Sequence, residues 1–321
     1  MPYPLLTIVI PTYSRAEYLS LLLITLAMEV RSLENKVRII IGDNASTDNT
    51  MAVTDSFSRV FPEAIILRHS ENVGPEENFC RCLDLVKTRF FWIMGDDDLP
   101  KEGVLRQIVD LLKDGDPDIL YLNSEWLPRI HTSKDGKRIT RLTVKMLSRE
   151  LFAKKVNVWL TFISGMIINL DRLYELNFGL NIRRFNGTSL VQLGWVLPLL
   201  MTGSKFQIAP QSCILATGGN TGGYKLVMVF GKNFPDIITN VCGSNLKIID
   251  TIERALVWSY LPGLLWSLRF GNAFAFEEED MIKSLNSLRA RLGYWVMLMP
   301  LLKFHKIFSF PFYLLSKILS R

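Results

Sequence analysis

The sequence of 321 residues predicts an α/β fold built on a doubly wound parallel sheet, and three observations point to it. Strand patterns alternate with helix patterns four times in the first part of the chain. The strand segments are nearly continuous apolar runs, which are typical of strands covered by helices on both faces. Polar residues follow these strands at their carboxyl ends, where open α/β sheets bind their ligands.

The composition is that of a folded protein, with 49% hydrophobic and 21% charged residues. The formal charge of +6 suits phosphate groups or an anionic membrane surface, and no nucleic-acid partner is expected. We expect reduced thiols in a cytoplasmic protein, since no secretory signal precedes the first strand and the cysteines lack paired zinc spacing. No stretch offers the ~18 uncharged apolar residues of a spanning helix, so no integral transmembrane protein is expected. The cysteines are Cys80, Cys82, Cys213 and Cys242.

The individual elements follow from apolar spacing and from the turn residues between them. Strands are predicted at residues 5–10, 37–41, 64–67, 90–94 and 119–122. Helices are predicted at residues 18–28, from residue 48 towards residue 60, and at residues 76–86 and 102–112. In the less regular second half we expect a hairpin turn at 133–137, a strand at 162–169 and a helix at 190–201 broken near Pro198.

Three consecutive carboxylates, Asp96, Asp97 and Asp98, follow the fourth predicted strand. Adjacent negative charges repel one another, so we expect a cation to hold them together. A hard divalent ion that bridges carboxylates and a diphosphate would do so. The alternative is a solvated acidic turn, which is the commoner setting of aspartate clusters.

Polar residues at the other strand ends predict a nucleotide site together with this cluster. Asp43 is expected to accept a hydrogen bond from the nucleobase, either from the N3–H of uracil or from the amine of cytosine. The alternative is that Asp43 is a turn residue. Arg15 is expected to contact phosphate or to form a surface ion pair. The glycine-rich loop at residues 217–224 could close over a diphosphate, with the charge of Lys225 beside it.

The motifs at residues 8–15, 42–48 and 72–74, with Asn78 and the aspartate run, resemble the family 2 glycosyltransferases of the GT-A fold. The resemblance implies a mixed sheet, a UDP-, CDP- or dTDP-linked sugar donor, and Mn²⁺ or Mg²⁺. It assigns the metal, with the ribose and the diphosphate, to Asp97 and Asp98. The predicted donor-binding residues are Pro11, Thr12, Tyr13, Arg15, Asp43, Asn44, Asn72, Gly74, Asn78, Asp96, Asp97, Asn220 and Lys225.

Residues 162–165, 186–189 and 219–220 resemble the abequosyltransferase subgroup, which adds a dideoxyhexose to a lipid-linked O-antigen unit. This resemblance implies a lipid-linked saccharide acceptor in bacterial surface polysaccharide synthesis. We accordingly assign residues 1–125 to the donor half of the domain, 126–240 to the acceptor half and 241–321 to a C-terminal helical extension. The oligomeric state is left open.

Two positions depart from the family pattern. Gly95 stands where the metal motif has its first aspartate, and residues 187–189 read Gly-Thr-Ser where inverting members carry a Glu-Asp pair. A hydroxyl alone is no competent base at neutral pH, so Glu125, past the fifth strand, is the candidate catalytic base, with a solvated carboxylate as the alternative. The alternative functions are a catalytically inactive subunit that binds a nucleotide sugar, and a nucleotidyltransferase.

The tail at residues 289–321 contains no acidic residue, and its apolar runs are interrupted by lysines and by Pro300 and Pro311. Aromatic residues of the kinds found at headgroup level recur along it. We expect the tail to lie in the inner surface of the cytoplasmic membrane, with its prolines preventing one long helix. The alternative is that its aromatics pack back onto the protein as core.

Overall fold

The computed structural model describes residues 4–33, 36–128, 135–175, 181–218, 225–243, 245–271 and 280–319. The chain divides into two compact units. The sheet unit comprises Met1–Ser148, Phe162–Asn186 and Gly194–Gly218, and the helical unit comprises Arg149–Thr161, Gly187–Leu193 and Gly219–Arg321. The domain boundaries expected at residues 125 and 240 stay predictions.

The first part of the sheet unit alternates strands with helices, as the apolar runs predicted. Every residue of the first strand is buried, because helices cover both of its faces. The elements are β1 (Leu6–Thr12), α1 (Ala16–Val30), β2 (Val37–Asp43), α2 (Thr50–Val60), β3 (Ile65–Arg68), α3 (Pro75–Leu83) and β4 (Phe90–Ile93).

The chain continues with short strands and helices that complete the sheet. They are β5 (Leu99–Pro100), α4 (Val104–Asp114), β6 (Ile119–Leu127), β7 (Lys145–Leu147), α5 (Arg149–Val156), β8 (Met166–Asn169), α6 (Leu170–Glu175), α7 (Leu193–Thr202) and β9 (Phe206–Thr217). Helix α5 belongs to the helical unit, and the strands belong to the sheet unit.

The described strands form one mixed sheet in the order β3-β2-β1-β4-β8-β6-β9-β5, with β7 alongside β9. Strands β1 to β4 are parallel, and β8 lies antiparallel between β4 and β6. Strand β6 therefore points in the same direction as β4, and it pairs in parallel with β9. The carboxyl ends of β1, β2, β4, β6 and β9 consequently share one edge of the sheet.

Three predicted elements differ from the observed ones. The strand expected at 162–169 begins only at Met166, because a 3₁₀ turn, Ile163–Gly165, precedes it. Strand β6 extends five residues beyond the predicted end, since β9 pairs with it. Helix α7 continues through Pro198. The proline removes only one backbone hydrogen bond, the one to the carbonyl of residue 194 in the first turn of the helix.

An apolar cluster packs one face of the sheet against α1 and α4. It includes Ile8 and Ile39 from the sheet and Leu22 and Ile108 from the helices. The four cysteines are free and buried, which agrees with reduced thiols acting as packing residues.

The helical unit contains α5 and the elements after the sheet. They are α8 (Leu226–Met228), α9 (Phe234–Cys242), α10 (Leu246–Ala255), α11 (Leu261–Phe270), α12 (Met281–Ser284), α13 (Met299–Lys303) and α14 (Lys306–Leu319). In the described part of this unit, π-helical turns interrupt the helices at Val229–Asn233, Leu256–Tyr260 and Tyr294–Leu298. Such turns are rare and occur frequently at functional sites.

The described part of the tail is not one long helix, as expected, but the break lies at Phe304 and His305 and not at the prolines. Pro300 directly follows the π-helical turn Tyr294–Leu298, and the helix continues through it, while Pro311 lies inside the uninterrupted α14. Tyr294 and Leu301 are fully buried, so the first part of the tail is core. Among the described residues, no helix is both long enough and apolar enough to cross a membrane.

Candidate active site

Strand register brings the first two predicted loops together. Thr12, at the end of β1, lies opposite Asp43 at the end of β2. The backbone N–H of Asn44 donates to the Thr12 carbonyl at 3.0 Å, which extends this pairing past the strands. Strand β4 lies on the other side of β1, and its chain leads directly into the aspartate run. The predicted convergence of these strand ends is therefore observed.

Arg15 is the cation that meets the aspartate run. Its Nη1 donates to Asp96 Oδ1 at 3.0 Å and to Asp97 Oδ2 at 2.9 Å. The Thr12 hydroxyl donates to the other oxygen of Asp96 at 2.7 Å. Asp96 is thereby held by one donor at the end of β1 and one in the loop after it, and the guanidinium joins that loop to the loop after β4.

Asp98 is held from the opposite side by residues far away in sequence. The Ser164 hydroxyl donates to Asp98 Oδ2 at 2.6 Å and accepts the Gly95 N–H at 2.9 Å. The backbone N–H of Thr217 donates to Asp98 Oδ1 at 3.1 Å, and its hydroxyl donates to the Asp97 carbonyl at 2.6 Å. Asp98 is thus oriented by the 3₁₀ turn before β8 and by the end of β9.

The glycine that replaces the first aspartate of the motif has a steric role. A Cβ at Gly95 would lie 3.0 Å from Asp97 Oδ1 and 3.2 Å from Asp98 Oδ2. Any side chain there would press on both carboxylates. Gly95 therefore lets the carboxylates fold back close to the backbone.

Burial sets the protonation of the cluster. It raises the pKa of Asp96 to about 6, although the charge of Arg15 partly offsets this, and it raises the pKa of Asp98 to about 7, helped by the charge of Asp97. Burial by itself would lower the pKa of Arg15, but the two carboxylates raise it above its ordinary value. The guanidinium thus stays charged, while each buried carboxyl can bind a proton in weakly acidic solution.

Asp43 lies buried beside this cluster at the end of β2. Its Oδ1 accepts the N–H of Ser46 at 2.9 Å, so the carboxylate shapes the following turn. Tyr13, in the neighbouring loop, is 45% exposed and presents a ring to solvent. A carboxylate acceptor and an accessible ring are groups that can contact a nucleobase.

The asparagines predicted at the site mainly hold its loops. Asn44 donates to the side chain of Asn72 at 2.9 Å, and Asn72 also accepts the N–H of Gly74 at 2.9 Å. Asn78 donates to the Gly42 carbonyl at 2.8 Å. Gly74 adopts a φ of +84°, a conformation that favours glycine, and α3 begins directly after it.

Glu125 is not among the hydrogen-bonded partners of the aspartate run. Its carboxylate accepts from the Lys101 ammonium, which is buried, while the Glu125 side chain is 45% exposed. The predicted base is therefore an ion-pair partner in this structure. Asn220 lies outside the described residues, and Lys225 is exposed in the helical unit.

The donor atoms of the aspartate run fit a hard metal ion only in part. No group of three or more His, Cys, Asp or Glu side chains in the described ranges is arranged to hold a metal. Mg²⁺, however, is commonly bound through one or two carboxylates and the phosphates of a substrate. The Asp97 side chain is 12% exposed, compared with 6% for Asp96, so Asp97 is the more accessible of these two.

Sequence reasoning assigned no role to Ser164, Thr217 or Lys101. Ser164 entered only through the resemblance at residues 162–165, and Thr217 only as the first residue of the glycine-rich loop. Their contacts with Asp98 span 66 and 119 residues of sequence. The 3₁₀ turn before β8 and the pairing of β9 with β5, which the apolar pattern did not reveal, were the missing information.

Comparison with known proteins agrees with this geometry. Residues 7–164 match the model of the family described as Glycosyl transferase family 2. A stretch of 95 residues, 29% of this chain, is 38% identical to Abequosyltransferase RfbV of Salmonella typhimurium. That match spans 28% of the length of the curated relative.

Solved structures with low sequence identity share the fold. S. aureus TarS 1-349 in complex with UDP-GlcNAc has a TM-score of 0.64 at 14% identity, covering 98% of this chain and 90% of that one. Mannosyltransferase PcManGT from Pyrobaculum calidifontis, in complex with GDP-Man and Mn²⁺, has a TM-score of 0.56 at 13% identity, covering 100% and 88%. The motif match and the shared architecture confirm the resemblance predicted from the sequence. Residues 7–164 are therefore a glycosyl transferase family 2 domain, and the chain has the GT-A fold.

Proposed function

We propose that this chain transfers a sugar from a nucleoside diphosphate donor to an acceptor hydroxyl. The observation that carries the proposal is the contact of Arg15 with Asp96 and Asp97, beside Asp43, at one edge of the sheet. The family match supports a transferase, and the two related structures hold UDP-GlcNAc and GDP-Man. The donor of this chain is a UDP-, CDP- or dTDP-linked sugar, with a deoxyhexose among the candidates.

Each part of the donor has a residue suited to it. Tyr13 offers its exposed ring to the nucleobase, and Asp43 accepts a base N–H. Loss of the sugar leaves negative charge on the diphosphate, and the Arg15 guanidinium is a permanent cation beside that position. Arg15 thus has two tasks, to order the carboxylates and to offset charge on the leaving group.

Mn²⁺ or Mg²⁺ would be held by Asp97 and Asp98 together with oxygens of the diphosphate. Asp98 accepts one hydrogen bond on each oxygen, which leaves a lone pair on each for a ligand. When bound, such an ion supplies Lewis acidity to the leaving diphosphate. Ser164 and Thr217 keep the Asp98 carboxylate in one orientation.

Donor binding tests this proposal directly. The full chain is heated with UDP-, CDP- and dTDP-sugars, each with Mn²⁺ and with a chelator. A donor at 100 times its dissociation constant should stabilise the protein by about 2.7 kcal/mol. One nucleotide should raise Tm more than the others, and more with Mn²⁺ than with the chelator. No shift with any donor would contradict the proposal.

We propose a lipid-linked saccharide as the acceptor, in assembly of a bacterial surface polysaccharide at the inner face of the cytoplasmic membrane. Support comes from α14, whose polarity is inverted. It buries Ser309 and Ser316, whereas Ile307 is 74% exposed and Ile318 is 69% exposed. An exposed apolar face with flanking Lys306 and Lys317 is typical of a helix lying in a membrane surface.

Helix α14 is also attached to its own unit, so it can present that face. Tyr313 stacks on Trp266 of α11 with ring centroids 4.7 Å apart. The Ser309 hydroxyl donates to the Pro300 carbonyl at 3.2 Å. The expectation that aromatics pack back as core thus describes Tyr294, while Tyr313 is half-buried against Trp266 and Phe308 remains 68% exposed.

Glu125 stays our candidate base for an inverting reaction. Its ion pair with buried Lys101 means that Glu125→Gln could also act through stability. Lys101→Gln therefore serves as the matched control. Loss of transfer in Glu125→Gln alone, with donor binding retained, supports a base, whereas equal losses in both variants indicate only the ion pair.

A further inference from the structure

The helical unit contains an open groove of about 1680 Å³. Its walls are α5 with the 3₁₀ turn after it, α10, the π-helical turn Leu256–Tyr260, α11, residues 290–293 and the end of α14. All of these elements belong to one unit. The groove is therefore a feature of the helical unit alone, distinct from the carboxylate cluster of the sheet unit.

The charges along the groove are predominantly positive. Five cationic and two anionic side chains line it. Both carboxylates are engaged by Arg291, whose Nη1 lies 2.7 Å from Asp250 and whose Nε lies 2.5 Å from Glu253. Lys154 and Lys155 are exposed, and neither is paired with a carboxylate in the described part of the chain. The groove thus carries an excess of positive charge suited to an anion.

Aromatic and aliphatic side chains lie between these charges. Trp159 and Tyr260 meet edge to face, with ring centroids 6.0 Å apart, and Trp258 lies on the same π-helical turn as Tyr260. A π-helical turn displaces side chains from the regular helical spacing, and here it directs them to the groove. Exposed cations on an aromatic wall suit a ligand with both a charged and an apolar part.

The groove also reaches the exposed apolar face of α14. Leu315 and Leu319 line the groove and are 40% and 48% exposed. Lys317, between them, lies over the Tyr313 ring at 5.2 Å. A ligand in the groove can therefore extend an apolar chain along α14 towards a membrane while its charged group meets the lysines.

We propose that this groove binds the phosphate-bearing head and the first part of the chain of the lipid-linked acceptor. The inference rests on the proposed function and adds a site for the lipid part of the acceptor. Ordinary anionic phospholipids also carry negative charge, like the lipid-linked acceptor. Exposed lysines would be enough to bind their headgroups, and a groove with aromatic walls would not be needed. The occupant is therefore a long-chain lipid phosphate that carries the acceptor saccharide.

Farnesyl diphosphate, a water-soluble lipid diphosphate, is the probe, and its binding to the full chain is measured by calorimetry. Lys154→Glu/Lys155→Glu should weaken binding at least ~tenfold, which corresponds to about 1.4 kcal/mol. Lys247→Glu, an exposed change outside the groove in the same unit, should leave binding unchanged. Pyrophosphate and farnesol, which each lack one part of the ligand, should bind at least ~tenfold more weakly than farnesyl diphosphate.

Three outcomes would overturn this assignment. They are unchanged binding in the double variant, an equal loss in Lys247→Glu, and equal affinity for dihexanoyl phosphatidylglycerol, which would indicate a general anionic-lipid surface. The milder Lys154→Gln/Lys155→Gln is measured as well, in case charge reversal prevents folding. Donor binding is followed in every variant. If the wild type does not bind the donor, the proposed function is contradicted. If the double variant binds both the donor and farnesyl diphosphate as the wild type does, only the groove proposal is contradicted.

Discussion

The sheet unit places carboxylates inside the protein, whereas the helical unit places large apolar side chains on its surface. As whole residues, Asp96 and Asp98 are 4% and 6% exposed, while Ile307 and Ile318 are 74% and 69% exposed. Both arrangements oppose folding, because burying a charge requires compensation and exposing an isoleucine forgoes about 1.5–3 kcal/mol of burial. Stability of the chain alone explains neither region.

The two regions differ in how the unfavourable arrangement is compensated. Arg15, Thr12, Ser164 and the Thr217 N–H surround the buried carboxylates, so the sheet unit compensates within itself. No comparable compensation is possible for the outer face of α14 in water. In our proposal, the first region additionally binds a small ligand, and a membrane covers the second.

The largest expected effect lies in the sheet unit. Asp97→Asn removes a charge that would face the metal and diphosphate, and transfer should fall by ~10²-fold or more. Tm should barely change, because a side chain of the same shape remains. Asp110→Asn, an exposed change on α4, is the matched control. Metal-dependent transfer at the wild-type rate in Asp97→Asn would exclude this role.

The next effect concerns recognition of the nucleobase. Asp43→Ala leaves a base donor unpaired, so donor binding should weaken by ~1–3 kcal/mol. Calorimetric titration with the preferred nucleotide measures this, and Asp114→Ala, an exposed site in the same unit, is the control. Because Asp43 also accepts the Ser46 N–H, Tm is measured in parallel. Unchanged affinity would reduce Asp43 to a turn residue.

The helical unit predicts a change in membrane binding without a change in folding. Ile307→Glu/Ile318→Glu should abolish flotation with anionic liposomes, because charge replaces the exposed apolar face. Tm should be retained, since neither side chain is buried. Ile24→Glu, 58% exposed on α1, should float like the wild type. Equal flotation of all three proteins would exclude α14 as the anchor.

A smaller effect is expected in the pH dependence of stability. The pKa of Asp98 is about 7 in the native state and 3.8 without the fold, so the native state holds this proton to higher pH. Stability should therefore fall as pH rises from about 4 towards 7. Asp98→Asn lacks this titration, so its Tm relative to wild type should increase from pH 5 to pH 8, measured with a chelator. If the Tm difference between Asp98→Asn and the wild type stays constant from pH 5 to pH 8, burial does not raise the pKa of Asp98 in the native state.

The sequence predicted the parts of the site that depend on local pattern. The ends of β1, β2 and β4 were recognisable because each apolar run stops at polar residues, and parallel strands bring those ends together. Strand β9 escaped prediction because Gln207, Pro210 and Gln211 interrupt its apolar residues, and its pairing with β6 is irregular there. The contact of Asp98 with Thr217 depends on the position of β9, which also pairs with β5 directly after Asp98, so this contact could not be predicted. The contact with Ser164 depends on the 3₁₀ turn before β8, where a strand was predicted instead.

The prolines of the tail show a second limit. A proline inside a helical pattern predicts a break. Pro311, however, removes only one backbone hydrogen bond, the one to the carbonyl of residue 307 in the first turn of α14. The sequence does not show which aromatic residues of the tail are buried, because Tyr294 and Trp295 are adjacent and both aromatic. Only the packing of the folded chain distinguishes them. Tyr294 is fully buried, whereas Trp295 is 55% exposed.

The central claim is that the carboxylate edge of the sheet unit splits a nucleotide sugar. Release of nucleoside diphosphate by the purified full chain, supplied with UDP-, CDP- or dTDP-sugars, Mn²⁺ and a membrane extract containing lipid-linked saccharides, measures it most directly. We predict release from one donor class, dependent on the extract and lost in Asp97→Asn. Donor binding without release from any donor would contradict the claim and would indicate a binding subunit instead.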